Sequence, residues 1–305
     1  MKMKIAAALL VLSLCSLIPT GEASDVGKPR EYRRIVMTWV PPYAIEKSRA
    51  RLDESFDGLG MKDTLTHLAL QFWVPTKAGG IQRTPKYGKI TDETIAGFRS
   101  WTRSHGIRLM LCVYNGVDGW DWALARSAFA DHPTELVSAL IAEMERLDLD
   151  GIDIDLEGMG SLDGDRKAFT SFCRSLSERL HAKGRHLTVD SFSYIWNAPN
   201  QTWWPDLFPV VDALTTMGYE ETGARAKQWR SYPAQKKAAG EHSGKLLIGL
   251  PSSKDRWQDE PAGEQIRWIA DDQGTGLAFW DAQLESPAWR KRKLWSLIQS
   301  VRDAK

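Results

Sequence analysis

The chain has 305 residues, 43% of them hydrophobic and 26% charged, with 40 basic residues against 39 acidic ones. That is enough apolar material for one large core, and disorder is excluded. A balanced charge with no basic tract gives no field to concentrate nucleic acid or anionic lipid, so polyanion partners are excluded too.

Met1 to Lys4 is basic, the 14 residues from Ile5 to Ile18 are apolar, and Gly21-Glu22-Ala23 offers small residues for cleavage. This reads as a secretory signal peptide over 1–23, with the protein secreted or periplasmic. The apolar run is shorter than the roughly 18 residues that span a bilayer, and no transmembrane segment is expected. Leu14 is bulky before Cys15, which argues against lipidation. Without Lys2, Lys4 and Glu22 the remainder, 24–305, carries 38 residues of each sign.

From there short β-type runs alternate with helical ones at intervals of around 30 residues, the pattern of βαβ units on a parallel sheet. Strands are expected over 35–39, 65–73, 107–114, 151–157, 186–191, 213–219, 245–250 and 277–280. Pro133 suits a first helical turn, Gly106 and Gly184 suit helix ends, and Leu136, Leu140 and Met144 form an apolar stripe. Cys173 lies on a second stripe with Phe169, Phe172, Leu176 and Leu180, which makes it a buried thiol. Cys112 reads as structural as well, and pairing between the two cysteines stays open. Among 14 tryptophans, Trp120, Trp122, Trp203 and Trp204 fall in segments that read as loops. Core packing accounts for about half such rings, and stacking on a sugar face would account for the others.

Eight units with no linker, repeat or appended module fit an α/β fold, a single-domain (β/α)8 TIM barrel. Chemistry in that fold sits at the C-terminal ends of the strands.

One strand end carries an unusual load. In Asp150-Gly151-Ile152-Asp153-Ile154-Asp155-Leu156-Glu157-Gly158, alternation puts Asp153, Asp155 and Glu157 on one face and Ile152, Ile154 and Leu156 on the other. The apolar face must pack on helices, so the acids face the lumen. Burying unpaired carboxylates costs several kcal/mol, so packing gives no reason for three in a row. A calcium loop around Asp148, Asp150 and Asp153 is the rival reading, but here the glycine leads into a strand, and no metal is expected. Asp153 and Asp155 are close enough to share a proton, and Glu157 beside a negative neighbour keeps its own to higher pH, as a general acid must.

These residues resemble the signature of glycoside hydrolase family 18, the chitinase and endo-β-N-acetylglucosaminidase family, whose acids also lie on the fourth strand. Thr216-Met217-Gly218-Tyr219-Glu220 resembles the family's Met-x-Tyr-Asp/Asn element, and Gly276-Leu277-Ala278-Phe279-Trp280 its closing strand. The resemblance implies a retaining, substrate-assisted hydrolysis of N-acetylglucosamine-containing polysaccharide. In it Glu157 protonates the glycosidic oxygen, Asp155 orients the acetamido group, Asp153 tunes Asp155 and Tyr219 holds the acetamido oxygen. Trp280 would form the floor under the sugar. Further substrate contacts are implied at Trp39, Tyr114, Asn115, Met217 and Glu220, with Asp150 as structural support and no cofactor. Val113-Tyr114-Asn115-Gly116 and Glu220 depart from the commoner pattern and resemble the branch acting on bacterial cell walls, including spore-cortex lytic enzymes. A silent lectin on the same barrel and an endoglycosidase acting on glycoprotein N-glycans are the alternatives. His67, His105, His132, His181, His186 and His242 show no metal spacing and read as structural or surface. Nothing in the sequence sets an oligomeric state.

Overall fold

All eight expected strands form, and each pairs in parallel with the next. They are β1 (Val36–Val40), β2 (His67–Pro75), β3 (Arg108–Tyr114), β4 (Gly151–Asp155), β5 (His186–Ser191), β6 (Ala213–Thr216), β7 (Leu246–Pro251) and β8 (Gly276–Trp280). β8 pairs back onto β1, with Val36 opposite Leu277, so the sheet closes into a barrel. The computed structural model describes residues 34–88, 90–159, 162–191, 200–217, 231–253, 259–272 and 274–304, the side chains of 231, 259–265 and 292 excepted. The leader expected over 1–23 lies outside these residues, as do Tyr219 and Glu220. No helix among the described residues is long and apolar enough to cross a membrane.

Helices follow the strands: α1 (Ile45–Leu52), α2 (Asp92–His105), α3 (Pro133–Leu147), α4 (Arg166–His181), α5 (Ser231–Ala239), α6 (Asp259–Asp272) and α7 (Arg292–Asp303). Their ends obey local chemistry. The Thr91 hydroxyl caps α2 by accepting from the Thr94 N–H, and Gly106 closes it in the left-handed conformation at φ 68°. Pro133 opens α3, where its missing N–H has no partner to lose. Between β5 and β6 the described helix is the single turn Trp204–Leu207.

The strands bury both faces, and two apolar layers result. Outward residues such as Val36, Leu68, Leu109, Ile152, Ile154, Leu187 and Leu214 pack under the helices, together with Cys173. Inward residues Met37, Trp39, Ala69, Met110, Cys112, Ala213, Leu247 and Ala278 fill the lumen. Gly151 is required by close approach: a Cβ there would stand 2.4 Å from the His186 carbonyl oxygen and 2.6 Å from Met110 Cε. Its absence lets the floor close beneath Asp153, two residues along the same face.

Two details depart from simple alternation. β2 bulges at Phe72, so Gln71 stays in register with inward Cys112 while Trp73 pairs with outward Val113 and joins Phe72 under the helices. β4 ends at Asp155 rather than Glu157, because its ladders with β3 and β5 stop at Tyr114–Asp155 and Ile154–Val189. Short strands at Ser55–Phe56, Leu59–Gly60 and Ile81–Arg83 add a hairpin and an antiparallel extension of β2.

Candidate active site

Strand β4 carries its acids into the lumen in a graded series. Asp153 is fully buried, Asp155 is 2% exposed and Glu157, just past the strand end, is 8% exposed. Asp153 is saturated with donors: Trp39 Nε1–H at 2.8 Å on Oδ2 and the Thr188 hydroxyl at 2.5 Å on Oδ1. The Cys112 thiol adds a third. Asp155 is served less fully. Gln71 Nε2–H donates to its Oδ2 at 2.7 Å and the Glu157 side chain bonds it too, while its buried Oδ1 meets no N–H or hydroxyl donor. Glu157 is fixed through its backbone, since the Asn115 amide donates to its carbonyl at 2.8 Å and accepts from its N–H at 2.9 Å. That two-point clamp replaces the ladder bonds lost where β4 ends.

Burial dominates the electrostatics. It raises the Asp153 carboxyl, against which hydrogen bonds with Thr188, Trp39, Cys112 and Asp190 act. Asp155 is pushed up to about 7, first by burial and then by the charge of Asp153, with hydrogen bonds from Gln71 and Glu157 acting against both. Glu157 is held well above its usual range by burial and by neighbouring Asp155. A carboxyl that stays protonated at the open end, beside one that ionises deeper in, can give a proton to a leaving group.

The remaining expected residues are distributed around this series. Trp280 ends β8 partly exposed, 5.9 Å from Trp39 between ring centroids. Its carbonyl accepts from the Ser252 N–H at 2.6 Å, and Asp281 beyond it accepts from the Gln283 backbone and side chain. Trp39 itself is fully buried, with its indole N–H turned to Asp153 rather than to an open face. Tyr114 lies on the Asp155 side of β3, its hydroxyl donating to Thr84 at 3.0 Å. Met217 follows β6, half-buried, with its N–H on the Ser191 carbonyl. Asp150 sits at the opposite end of the barrel, bonded to the Leu109 N–H and to Arg185, and so joins β3 to the start of β5.

Sequence reasoning left out four residues that the fold brings to the acids. Asp190 of β5 is 2% exposed, and burial together with the charges of Asp153 and Asp155 holds its carboxyl well above the usual range. Its signal lay in Thr188-Val189-Asp190, whose alternation turns Thr188 and Asp190 inward with Val189 outward. Cys112, Gln71 and Thr188 also belong to the site. The structural reading of Cys112 is therefore too narrow: the thiol is free, like that of Cys173, but it faces Asp153. Of the loop tryptophans, Trp203 and Trp204 are wholly buried, Trp122 bonds Asp165, and Trp120 is 44% exposed. Among the described residues no group of three or more His, Cys, Asp or Glu is arranged to hold a metal ion.

A profile of the glycosyl hydrolases family 18 matches residues 41–298. Solved structures share the fold at low identity. A chitinase from Chromobacterium violaceum ATCC 12472 is similar at 16% identity and a TM-score of 0.66, over 89% of this chain and 99% of that one. The spore cortex-lytic enzyme SleL of Bacillus megaterium QM B1551 is similar at 12% and 0.69, over 90% and 75%. A class V chitinase from Pseudomonas fluorescens Pf-5 is similar at 14% and 0.68, over 88% and 99%. No curated protein sequence matches.

Proposed function

The chain belongs to family 18 of the glycosyl hydrolases, and on that premise we propose that it is a retaining, substrate-assisted glycosidase that hydrolyses β-1,4-linked N-acetylglucosamine polymers. Chitin-like oligosaccharides and the glycan strands of peptidoglycan are the substrates in view. The observation that carries the reading is the buried series Asp153, Asp155 and Glu157 at the mouth of a closed barrel, its outermost carboxyl held well above the usual range by burial and by Asp155.

In this reading Glu157 gives its proton to the glycosidic oxygen as the C1–O bond breaks. The acetamido carbonyl oxygen of the same sugar attacks C1, and water then opens the resulting oxazolinium ion with retained configuration. Asp155 receives the acetamido N–H on Oδ1 and stabilises the developing positive charge. Asp153, held by Trp39 and Thr188, stands behind it and tunes it. The substrate's acetamido group acts where most glycosidases use a second carboxylate, so sugars without an N-acetyl group are refused.

The test is Glu157→Gln assayed on N-acetylglucosamine oligomers and on purified peptidoglycan, with products identified by mass spectrometry. We expect turnover to fall by at least about a hundredfold, the scale of a lost general acid, with oligomer binding retained. Full turnover by the variant removes Glu157 from the mechanism. Binding without turnover by the unmodified protein assigns it as a lectin.

A further inference from the structure

Leu68-Ala69-Leu70-Gln71-Phe72-Trp73 on β2 is an apolar run interrupted by a single amide. Gln71 is 4% exposed, and a polar side chain buried so deeply needs a partner that offsets its lost hydration. Alternation turns Leu68 and Leu70 outward and Ala69 and Gln71 into the lumen. The bulge at Phe72 then stops the alternation. Trp73, which would have been the next inward residue, pairs with outward Val113 and bonds Glu143 of α3 at 3.2 Å. The strand thus aims Gln71 at the acids and keeps a large ring away from them.

The register makes the reach a long one. Gln71 is opposite Cys112 on β3, and Cys112 is opposite Asp153 on β4, yet the Gln71 amide passes that level and bonds Asp155 Oδ2 at 2.7 Å. The deeper acid has its own set of partners: Trp39, Thr188, Cys112 and Asp190 bond Asp153. Asp155 is bonded instead by Gln71 and by the Glu157 side chain, and Asp153 acts on it through charge, not through a hydrogen bond. Two carboxyls one inward step apart are therefore held by separate partners.

We propose that Gln71 is a positioning residue of the acid series: from across β3 its amide holds the Asp155 carboxyl on the Glu157 side, apart from Asp153, before any sugar enters. An amide suits the task. It donates to a carboxylate without cancelling the negative charge that a developing cation needs, as an arginine or lysine in its place would. The titratable groups around Asp155 are Asp153 and Glu157 along its own segment, Asp190 on β5, and Cys112 and Tyr114 on β3, and none of these is a cation. The placement of Asp155 stands whatever the substrate; its consequence for turnover rests on the glycosidase reading.

Gln71→Met keeps the length of the arm and removes its donor. In crystal structures of the parent and the variant at one pH, we expect the Asp155 carboxyl beside Glu157 in the parent and turned toward Asp153, or divided between the two places, in Gln71→Met. Carboxyl-carbon NMR should put the Asp155 midpoint about one pH unit higher in the variant, because a donor to the ionised form is lost. On a soluble N-acetylglucosamine oligomer kcat/KM should fall about tenfold, with its acidic limb moved up alongside that midpoint. A merely structural role would lower the active fraction and leave the limb where it was, which overturns the proposal. An Asp155 carboxyl that keeps its place in Gln71→Met overturns it too, whatever the midpoint does. Should the variant not fold, the parent decides: the Gln71 side-chain NH2 signals should titrate with the Asp155 midpoint, and signals that ignore it overturn the proposal. Should no polymer be cleaved, the glycosidase reading fails while the crystallographic and NMR arms still decide this one.

Discussion

Asn115 shows how a residue can matter to a proton donor without touching its carboxyl. Glu157 lies beyond the last ladder bond of β4, where the backbone would otherwise swing, and the Asn115 side chain bonds both its N–H and its C=O. Asn115→Ala leaves these buried groups to find other partners and frees the donor by a fraction of an ångström or more. Misplacement on that scale costs up to about a hundredfold in rate. We therefore expect Asn115→Ala to lower kcat by about ten- to a hundredfold with a much smaller change in KM. Steady-state kinetics on a soluble oligomer reads this, and an unchanged kcat would mean that Glu157 is held by something else. Met217 and Trp280 stand at strand ends in the same way, but no comparable side-chain bond ties them to the acids. The sequence pointed to Asn115 by its place after the third strand, not by its hydrogen bonds, which depend on where β4 stops.

Strands were more legible than the site they carry. Runs such as 186–191 match the observed β5 residue for residue, because β-branched and aliphatic residues on the outward face alternate with tolerated polar ones inward. The acids of β4 were legible for the same reason, as three carboxyls in period two. Asp190 escaped because one acid after one threonine makes no pattern until the neighbouring strand is known. Glu157 was read as the end of β4, an error of two residues that follows from alternation persisting past the ladder. The loop tryptophans mislead for a different reason: Trp203 precedes a one-turn helix, so no periodicity marks its burial, yet it packs against Phe169 at 5.7 Å and Trp122 at 6.5 Å. Removing that ring opens a large cavity, and Trp203→Ala should cost about 3–5 kcal/mol. Its indole N–H has no partner, so Trp203→Phe deletes an unsatisfied donor while keeping most of the packing, and should cost far less. Urea midpoints with unchanged slopes test this contrast; equal losses would show that the indole N–H is paired.

At the scale of the whole barrel, the acids at the mouth and His67 at the floor respond to pH with opposite sign. At the floor, His67 Nε2 meets His186 Nδ1 at 3.1 Å, and burial, His186 and Arg108 hold the His67 ring well below its ordinary pKa. A base depressed on folding gives stability that is complete above about 6.5, its unfolded value, and is lost as pH falls below that. In the acid series Asp153, Asp155, Glu157 and Asp190 are all raised. Acids raised on folding give stability that is complete below about 4, their unfolded value, and is lost as pH rises, for Asp155 through about 7. Several protons at the mouth outnumber the one on His67, so the thermal midpoint should fall from pH 5 to 8, and fall more steeply above about 6.5, where the histidine no longer opposes it. His67→Gln removes the opposing contribution. In that variant the decline should already be steep between pH 5 and 6.5 and should match the parent's slope above it, as read by calorimetric scans at several pH values. Parallel curves for the two proteins below pH 6.5 would mean that His67 binds the same proton folded and unfolded, and that it plays no part in the pH response of the barrel.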